Sequence, residues 1–184
     1  MSRFPLILAA AGLFLPVVAG AAAPSAGFWS TPTITGYGKI HYLPKAAYQP
    51  VSGQTYRIVF SLTQGAKSAG QVNPSLDHVA RTVNLYVAAG VPLDHLKFVA
   101  VASGAATPLA LTDAQYRTAF GVPNPNLRLI GELRNAGVDV AVCGQAVAEH
   151  HFQYAWVDRH VTLALSALTT VTTLEHKGYA LMQM

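Results

Sequence analysis

The sequence contains a single cysteine, Cys143, and few charged residues. One cysteine cannot form an internal disulfide, and without a Cys-x-x-Cys pair the chain cannot be a thioredoxin-type dithiol enzyme. Charged residues make up 11% of the 184 residues, and no run of Lys or Arg accompanies the formal net charge of +4. We therefore expect no nucleic-acid partner. Hydrophobic residues reach 52%, which excludes a disordered chain and favours a tightly packed or oligomeric protein.

Motifs that bind phosphate-bearing cofactors are also absent. The chain has no Gly-x-Gly-x-x-Gly after its first predicted strand, no Gly-x-x-x-x-Gly-Lys and no Gly-x-Ser-x-Gly. Dinucleotide, nucleotide and ordinary esterase functions thereby lose their main support, and we expect no cofactor. His150, His151 and His160 lack the tight spacing of a metal site, so we expect no metal. A copper or zinc site on them stays as a weaker alternative.

The first 21 residues are typical of a secretory signal peptide. Arg3 supplies the positive charge, residues 4–18 form an apolar stretch, and the small residues 19–21 fit a cleavage site. A stretch this short favours removal over a permanent membrane anchor, which is the alternative. We therefore predict an exported protein with no membrane segment after cleavage, located in the periplasm if the source is bacterial.

Residues 22–54 predict an extended N-terminal arm. Four prolines and several aromatic residues occur there, and no hydrophobic period is sustained. The aromatic side chains need burial, either against the arm's own domain or against a neighbouring subunit, and the sequence leaves both interpretations open.

Residues 55–184 alternate between strand-like and helix-like patterns. Apolar, β-branched runs predict five strands near residues 56–62, 96–103, 138–142, 161–165 and 179–182. Helical periodicity and capping residues predict helices near residues 74–89, 113–120, 127–136, 144–150 and 166–177. This alternation is typical of right-handed βαβ units. We expect an α/β fold: a flavodoxin-like, three-layer α/β/α domain with a five-stranded, mainly parallel sheet.

The candidate site residues lie at the predicted carboxyl edge of that sheet, where α/β proteins bind ligands. Cys143 ends the third strand just before a helix start. That setting favours the thiolate, so Cys143 is a candidate nucleophile, and its alternative is a small buried apolar residue. The residues expected to bind substrate are Gly144, Gln145, Ser103, Gly104 and Ser166. Asn84, inside the first helix, is either exposed, structural or pocket-facing.

Five short runs carry a family resemblance. They are Tyr56-Arg57-Ile58-Val59-Phe60, residues 80–86 followed by Gly90, Asn124-Pro125-Asn126-Leu127, Val142-Cys143-Gly144-Gln145-Ala146, and Gly178-Tyr179-Ala180. In order and spacing they are similar to the DsrE/DsrF-like family, and most of all to its exported single-domain branch. The resemblance covers residues 56–184.

The resemblance implies a three-layer α/β/α fold, homo-oligomers that are commonly trimers or hexamers, and, in the cytoplasmic sulfur-relay members, a cysteine that carries sulfur as a persulfide. Cys143 matches the position of that cysteine. One departure is Ser103-Gly104, where the branch often has His-Gly, so any role of that histidine is absent here.

Two functions follow as hypotheses. In the first, the protein is a periplasmic sulfur carrier or sulfurtransferase: Cys143 accepts sulfur from a donor protein and passes it to an acceptor, while Gln145 and backbone amides hold the terminal anion. In the second, it is a non-catalytic oligomeric module for binding or assembly, and Cys143 is structural.

Overall fold

The computed structural model describes residues 27–184. The predicted signal peptide and the beginning of the predicted arm lie outside the described residues. The strands are β1 (Tyr56–Leu62), β2 (Leu96–Ala102), β3 (Asp139–Cys143), β4 (Thr162–Ala164) and β5 (Ala180–Gln183). The helices are α1 (Pro74–Ala88), α2 (Asp113–Phe120), α3 (Leu127–Asn135), α4 (Gly144–Glu149) and α5 (Ala167–His176). No described helix has both the length and the apolar character needed to cross a membrane.

The five strands form one sheet in the order β4-β3-β2-β1-β5, and every neighbouring pair is parallel. β1 therefore lies inside the sheet, between β2 and β5. β1 and β2 are in register from Tyr56 opposite Leu96 to Leu62 opposite Ala102. Because all strands run the same way, their carboxyl ends meet at one edge. The predicted five-stranded parallel α/β fold is confirmed.

Two apolar clusters of unequal size hold the helices on the sheet. The larger joins one face of the sheet, including Phe60 and Phe98, to α1 and α3. The smaller joins Val59, Val101 and Ala141, on the other face, to α5. Alternate residues of a strand point to opposite faces. Right-handed crossovers explain the unequal layers: the steps from β1 to β4 run in one direction, whereas the step from β4 to β5 runs back across the sheet and places α5 on the opposite face.

Two helix starts form as their capping residues predict. The Asn73 side chain accepts hydrogen bonds from the backbone N–H groups of Ser75 and Leu76, and Pro74 occupies the first helical position of α1. Thr112 caps α2 in the same way through the N–H of Gln115. These caps fix where the chain turns from the carboxyl edge of the sheet into each helix.

The described part of the arm packs on α1 through Asn84, which is fully buried. Its Oδ1 atom accepts hydrogen bonds from the backbone N–H of Thr33 (3.0 Å) and Ile34 (2.8 Å). Its Nδ2 atom donates to the carbonyl oxygens of Tyr37 (3.0 Å) and Gly38 (2.9 Å). Of the three roles left open by the sequence, Asn84 therefore has the structural one.

Gly38 makes this close packing possible. Its φ angle is +57°, and a Cβ atom there would collide with the backbone of Arg81 on α1. Its N–H donates to Asp77 Oδ1 at 2.8 Å. A residue with any side chain would push the arm away from the helix.

Two loops between the predicted strands and helices have a structure that no sequence period indicates. The segment after β2 forms a 3₁₀ turn over Gly104–Ala110, a structure that has no distinctive sequence period. In the Asn124-Pro125-Asn126 run, Asn124 is buried, and its Nδ2 atom donates to the carbonyl oxygens of Leu109 (3.0 Å) and Leu111 (2.7 Å). This bond pair ties α3 to the loop after β2.

Candidate functional site

Cys143 is both the last residue of β3 and the N-cap residue of α4. Its Sγ atom accepts a hydrogen bond from the backbone N–H of Ala146, 3.4 Å away, and so satisfies one of the free amides at the helix start. The side chain is 5% exposed. The thiol therefore lies at the carboxyl edge of the sheet, as predicted, but beneath the surface.

Small apolar side chains surround the thiol. It belongs to the smaller apolar cluster, whose other buried members are Val59, Val101, Ala141, Ala146 and Ala167. Among the described residues, the amide of Ala146 is the only hydrogen-bond donor to Sγ. Stabilisation of a thiolate would thus come from a backbone dipole, since no side chain within residues 27–184 forms a hydrogen bond with Sγ as a general base would.

Beside Cys143, the neighbouring strands β3 and β4 lead to helices on opposite faces of the sheet. Cys143 pairs with Ala164 of β4. After β3, the chain enters α4, whose Val147 packs in the larger cluster while its Ala146 touches the smaller one. The step from β3 to β4 runs in the same direction as the earlier steps, which places α4 on the face of α1 and α3, whereas α5 follows β4 onto the other face with Ala167 in the smaller cluster. Adjacent parallel strands that lead to helices on opposite faces create a crevice, the preferred ligand site of open α/β sheets.

Ser166 forms the second wall of this crevice as the N-cap of α5. Its Oγ atom accepts a hydrogen bond from the N–H of Leu168 at 3.2 Å. Ser166 is buried, and its carbonyl oxygen also accepts bonds from the hydroxyls of Thr169 and Thr170. Its side chain serves the helix start in this structure.

Gly144 and Gln145 bind α4 to the segment after β4. A Cβ atom at Gly144 would lie 2.9 Å from the carbonyl oxygen of Ala164, so only glycine fits there without a shift. Gln145 is exposed, and its Nε2 atom donates to the carbonyl oxygen of Leu165 at 3.1 Å. The two residues hold the walls of the crevice together directly beside Cys143.

Ser103 and Gly104 lie on the neighbouring strand end, after β2. Ser103 is partly exposed, and Gly104 has a φ angle of +52°. The carbonyl oxygen of Gly104 accepts a hydrogen bond from Thr107 Oγ1 (2.8 Å) and lies 2.9 Å from His150 Nε2. The structure thus connects Ser103-Gly104 to the end of α4, but not to the thiol by a hydrogen bond.

A shallow cavity of about 280 Å³ opens beside the crevice. Gly144 and Gln145 form one wall, and Tyr154, Leu163 and Leu165 form much of the rest. Nothing in the sequence singles out the last three as site residues, because Tyr154 lies between the predicted elements and both leucines fall in the predicted fourth strand. Leu165 is in fact 73% exposed.

The histidines do not gather into a metal centre. Within residues 27–184, no group of three or more His, Cys, Asp or Glu side chains is placed to hold a metal ion. His160 contacts the carboxylate of Asp158 at 2.9 Å, and His150 contacts Gly104.

Comparison with known proteins decides the family. The sequence profile of the DsrE/DsrF-like family matches residues 55–184, which is more than half of the chain. The chain belongs to the DsrE/DsrF-like family. One solved structure, the protein of unknown function MTH1491 from Methanobacterium thermoautotrophicum, is similar with a TM-score of 0.52 and 17% sequence identity. The match covers 70% of this chain and 99% of that one, and at this identity it supports the fold alone. No curated protein matches the chain.

Proposed function

We propose that this DsrE-family protein is a periplasmic sulfur carrier that holds sulfane sulfur as a persulfide on Cys143. The observation that supports this function is the position of the sole cysteine: it caps α4, accepts an amide N–H at 3.4 Å, and lies where α4 and α5 diverge. A thiolate or persulfide anion gains from both the amide and the helix start.

The reaction is a thiol exchange that needs no external oxidant. The Cys143 thiolate attacks the terminal sulfur of a donor persulfide, R-S-SH; the S–S bond breaks, the donor leaves as R-S⁻, and Cys143-S-SH forms. A second thiolate then removes that sulfur and regenerates the Cys143 thiolate. The donor and acceptor are thiol-bearing partners.

Access to the thiol controls the rate of this exchange. Cys143 is 5% exposed, and Ala164 and Ala167 pack in its cluster. The segment between β4 and α5 therefore has to open in the folded protein before any donor, small or large, reaches the thiol. The 280 Å³ cavity lined by Gly144 and Leu165 gives the donor a place to approach that segment.

Mass spectrometry tests the proposal directly. After incubation with inorganic polysulfide, the intact protein should gain about 32 Da, the mass of one sulfur atom, and a reducing agent should remove it. Cys143→Ser should gain nothing. A folded protein that gains no sulfur, while the urea-unfolded chain does, would reject the function.

A second candidate is a non-catalytic assembly module, and the exposed leucines favour it. Leu165, directly after β4, is 73% exposed, and Leu168, in the first turn of α5, is 80% exposed. Further copies, as in a trimer or hexamer, would cover both. Cys143 is then a packing residue. Iodoacetamide distinguishes the two: a carrier is alkylated in the folded state, whereas a packing cysteine reacts only after unfolding.

A further inference from the structure

A second cavity, of about 290 Å³, lies at the carboxyl edge of the sheet, away from Cys143. The loop after β1 (residues 64–70), the turn after β2 and α2 enclose it. Its volume is at the lower end of the range of about 300–1,000 Å³ that small-molecule sites occupy. Neither the proposed persulfide chemistry nor the packing of the core uses this space.

The loop after β1 is held at both ends. Asn73 Nδ2 donates to the carbonyl oxygen of Gln64 at 2.7 Å, and the hydroxyl of Tyr116 donates to that of Ala69 at 2.8 Å. Asn73 itself is fixed, since its N–H donates to Asn126 Oδ1 at 2.8 Å. The cavity wall is thus formed before any ligand arrives.

Several carbonyl groups of this loop are hydrogen-bonded, whereas its backbone N–H groups have no partner among the described residues. The carbonyl oxygens of Gln64, Ser68 and Ala69 accept hydrogen bonds, whereas no backbone N–H of residues 64–70 donates to another described residue. Free N–H groups on a fixed loop favour an anion.

Lys67 adds a full positive charge. It is the only charged residue that lines the cavity, and it forms no ion pair with any residue in the range 27–184. Part of the cavity wall is aromatic: the ring centroids of Tyr116 and Phe120 lie 4.6 Å apart, and Phe120 is 39% exposed. A basic side chain and two aromatic rings therefore line the same cavity.

We propose that this cavity binds a small organic anion, with a carboxylate or sulfonate group on Lys67 and the loop amides, and a flat apolar body against Tyr116 and Phe120. A charge-assisted contact fixes the head group, and the aromatic wall accepts the body.

An NMR titration with 2-naphthoate, followed through the backbone amides of residues 65–70, tests the site. These amide signals should shift on titration, and Lys67→Gln should weaken binding about tenfold or more, because it removes the charge. The neutral isostere 2-naphthamide should bind the wild type about as weakly as 2-naphthoate binds Lys67→Gln. Phe120→Ala should also weaken naphthoate binding.

Lys97→Gln is the matched control, because Lys97 is also exposed and lies near the opposite, amino end of β2. It should leave the affinity unchanged. The site would be overturned by an absence of shifts in residues 65–70, by equal affinity for the acid and the amide, or by wild-type affinity in Lys67→Gln. Cys143→Ser should bind normally, so a failed persulfide test and a failed titration are separate results.

Discussion

Replacing Asn84 by alanine should detach the arm from α1 and destabilise the protein. The substitution removes all four hydrogen bonds between this buried amide and the backbone of residues 33–38. The N–H of Ile34 and the carbonyl oxygen of Gly38 would lose these partners in a buried setting. A buried polar group left without a partner lowers the stability by more than a formed hydrogen bond raises it.

The expected loss of stability follows from the number of hydrogen bonds removed and from the burial of the groups that lose them. A typical hydrogen bond contributes about 0.5–1.5 kcal/mol net, and an orphaned buried group costs about 1–3 kcal/mol. Some arm groups regain water when the arm loosens, which lowers the total. We expect Asn84→Ala to reduce the free energy of unfolding by about 3–5 kcal/mol, at the upper end of single-residue effects.

Urea unfolding at one fixed protein concentration measures this change. Asn135→Ala is the matched control: it makes the same chemical change at an exposed position at the end of α3, and it should cost less than about 0.5 kcal/mol. Trypsin should also cleave after Lys39 faster in Asn84→Ala than in the wild type. A loss below about 1 kcal/mol with unchanged cleavage would refute the role assigned to Asn84.

Two further predictions concern the start of α4 and an acidic group on α2. Gly144→Ala should lower the free energy of unfolding in urea by about 1–3 kcal/mol, because the new Cβ atom would lie 2.9 Å from the Ala164 carbonyl oxygen. Gly131→Ala in α3, where a Cβ atom has open space around it, is the control and should be neutral or stabilising. Equal effects of the two substitutions would contradict this reasoning. The pKa of Asp113 is lowered from 3.8 first by its hydrogen bond with Arg117, so its contribution to stability is present above that value and is lost as the pH falls through the lowered pKa. Arg117→Gln should raise the pKa of Asp113 toward 3.8 in a carboxyl ¹³C NMR titration, and an unchanged pKa would be incompatible with this cause.

Local sequence signals predicted most of the fold. β-branched runs indicate β1 and β2, and Asn73-Pro74 marks the start of α1, because caps and strands depend on neighbouring residues. The strand order does not follow from such signals. The return of β5 to the free side of β1 is decided by the packing of α5 on the second face, which involves residues far apart in the chain.

The sequence predicts where Cys143 lies in the fold but leaves its surroundings open between a reactive thiolate and a buried apolar residue. The end of β3 predicts that Cys143 lies at the carboxyl edge of the sheet, and its N-cap position agrees. Its burial depends on Val59, Val101 and Ala167, which three different elements supply. In the same way, nothing beside Asn84 in the sequence indicates that its partners lie some fifty residues earlier.

The place of β1 inside the sheet has a consequence for synthesis. β1 leaves the ribosome before the other strands, yet its second edge stays open until residues 180–183 have been made and the backbone of Met184 has bonded to Ser61 and Thr63. An open, apolar strand edge recruits strands from other chains. A chain that lacks residues 180–184 would therefore expose the second edge of β1 to pairing with strands of other chains.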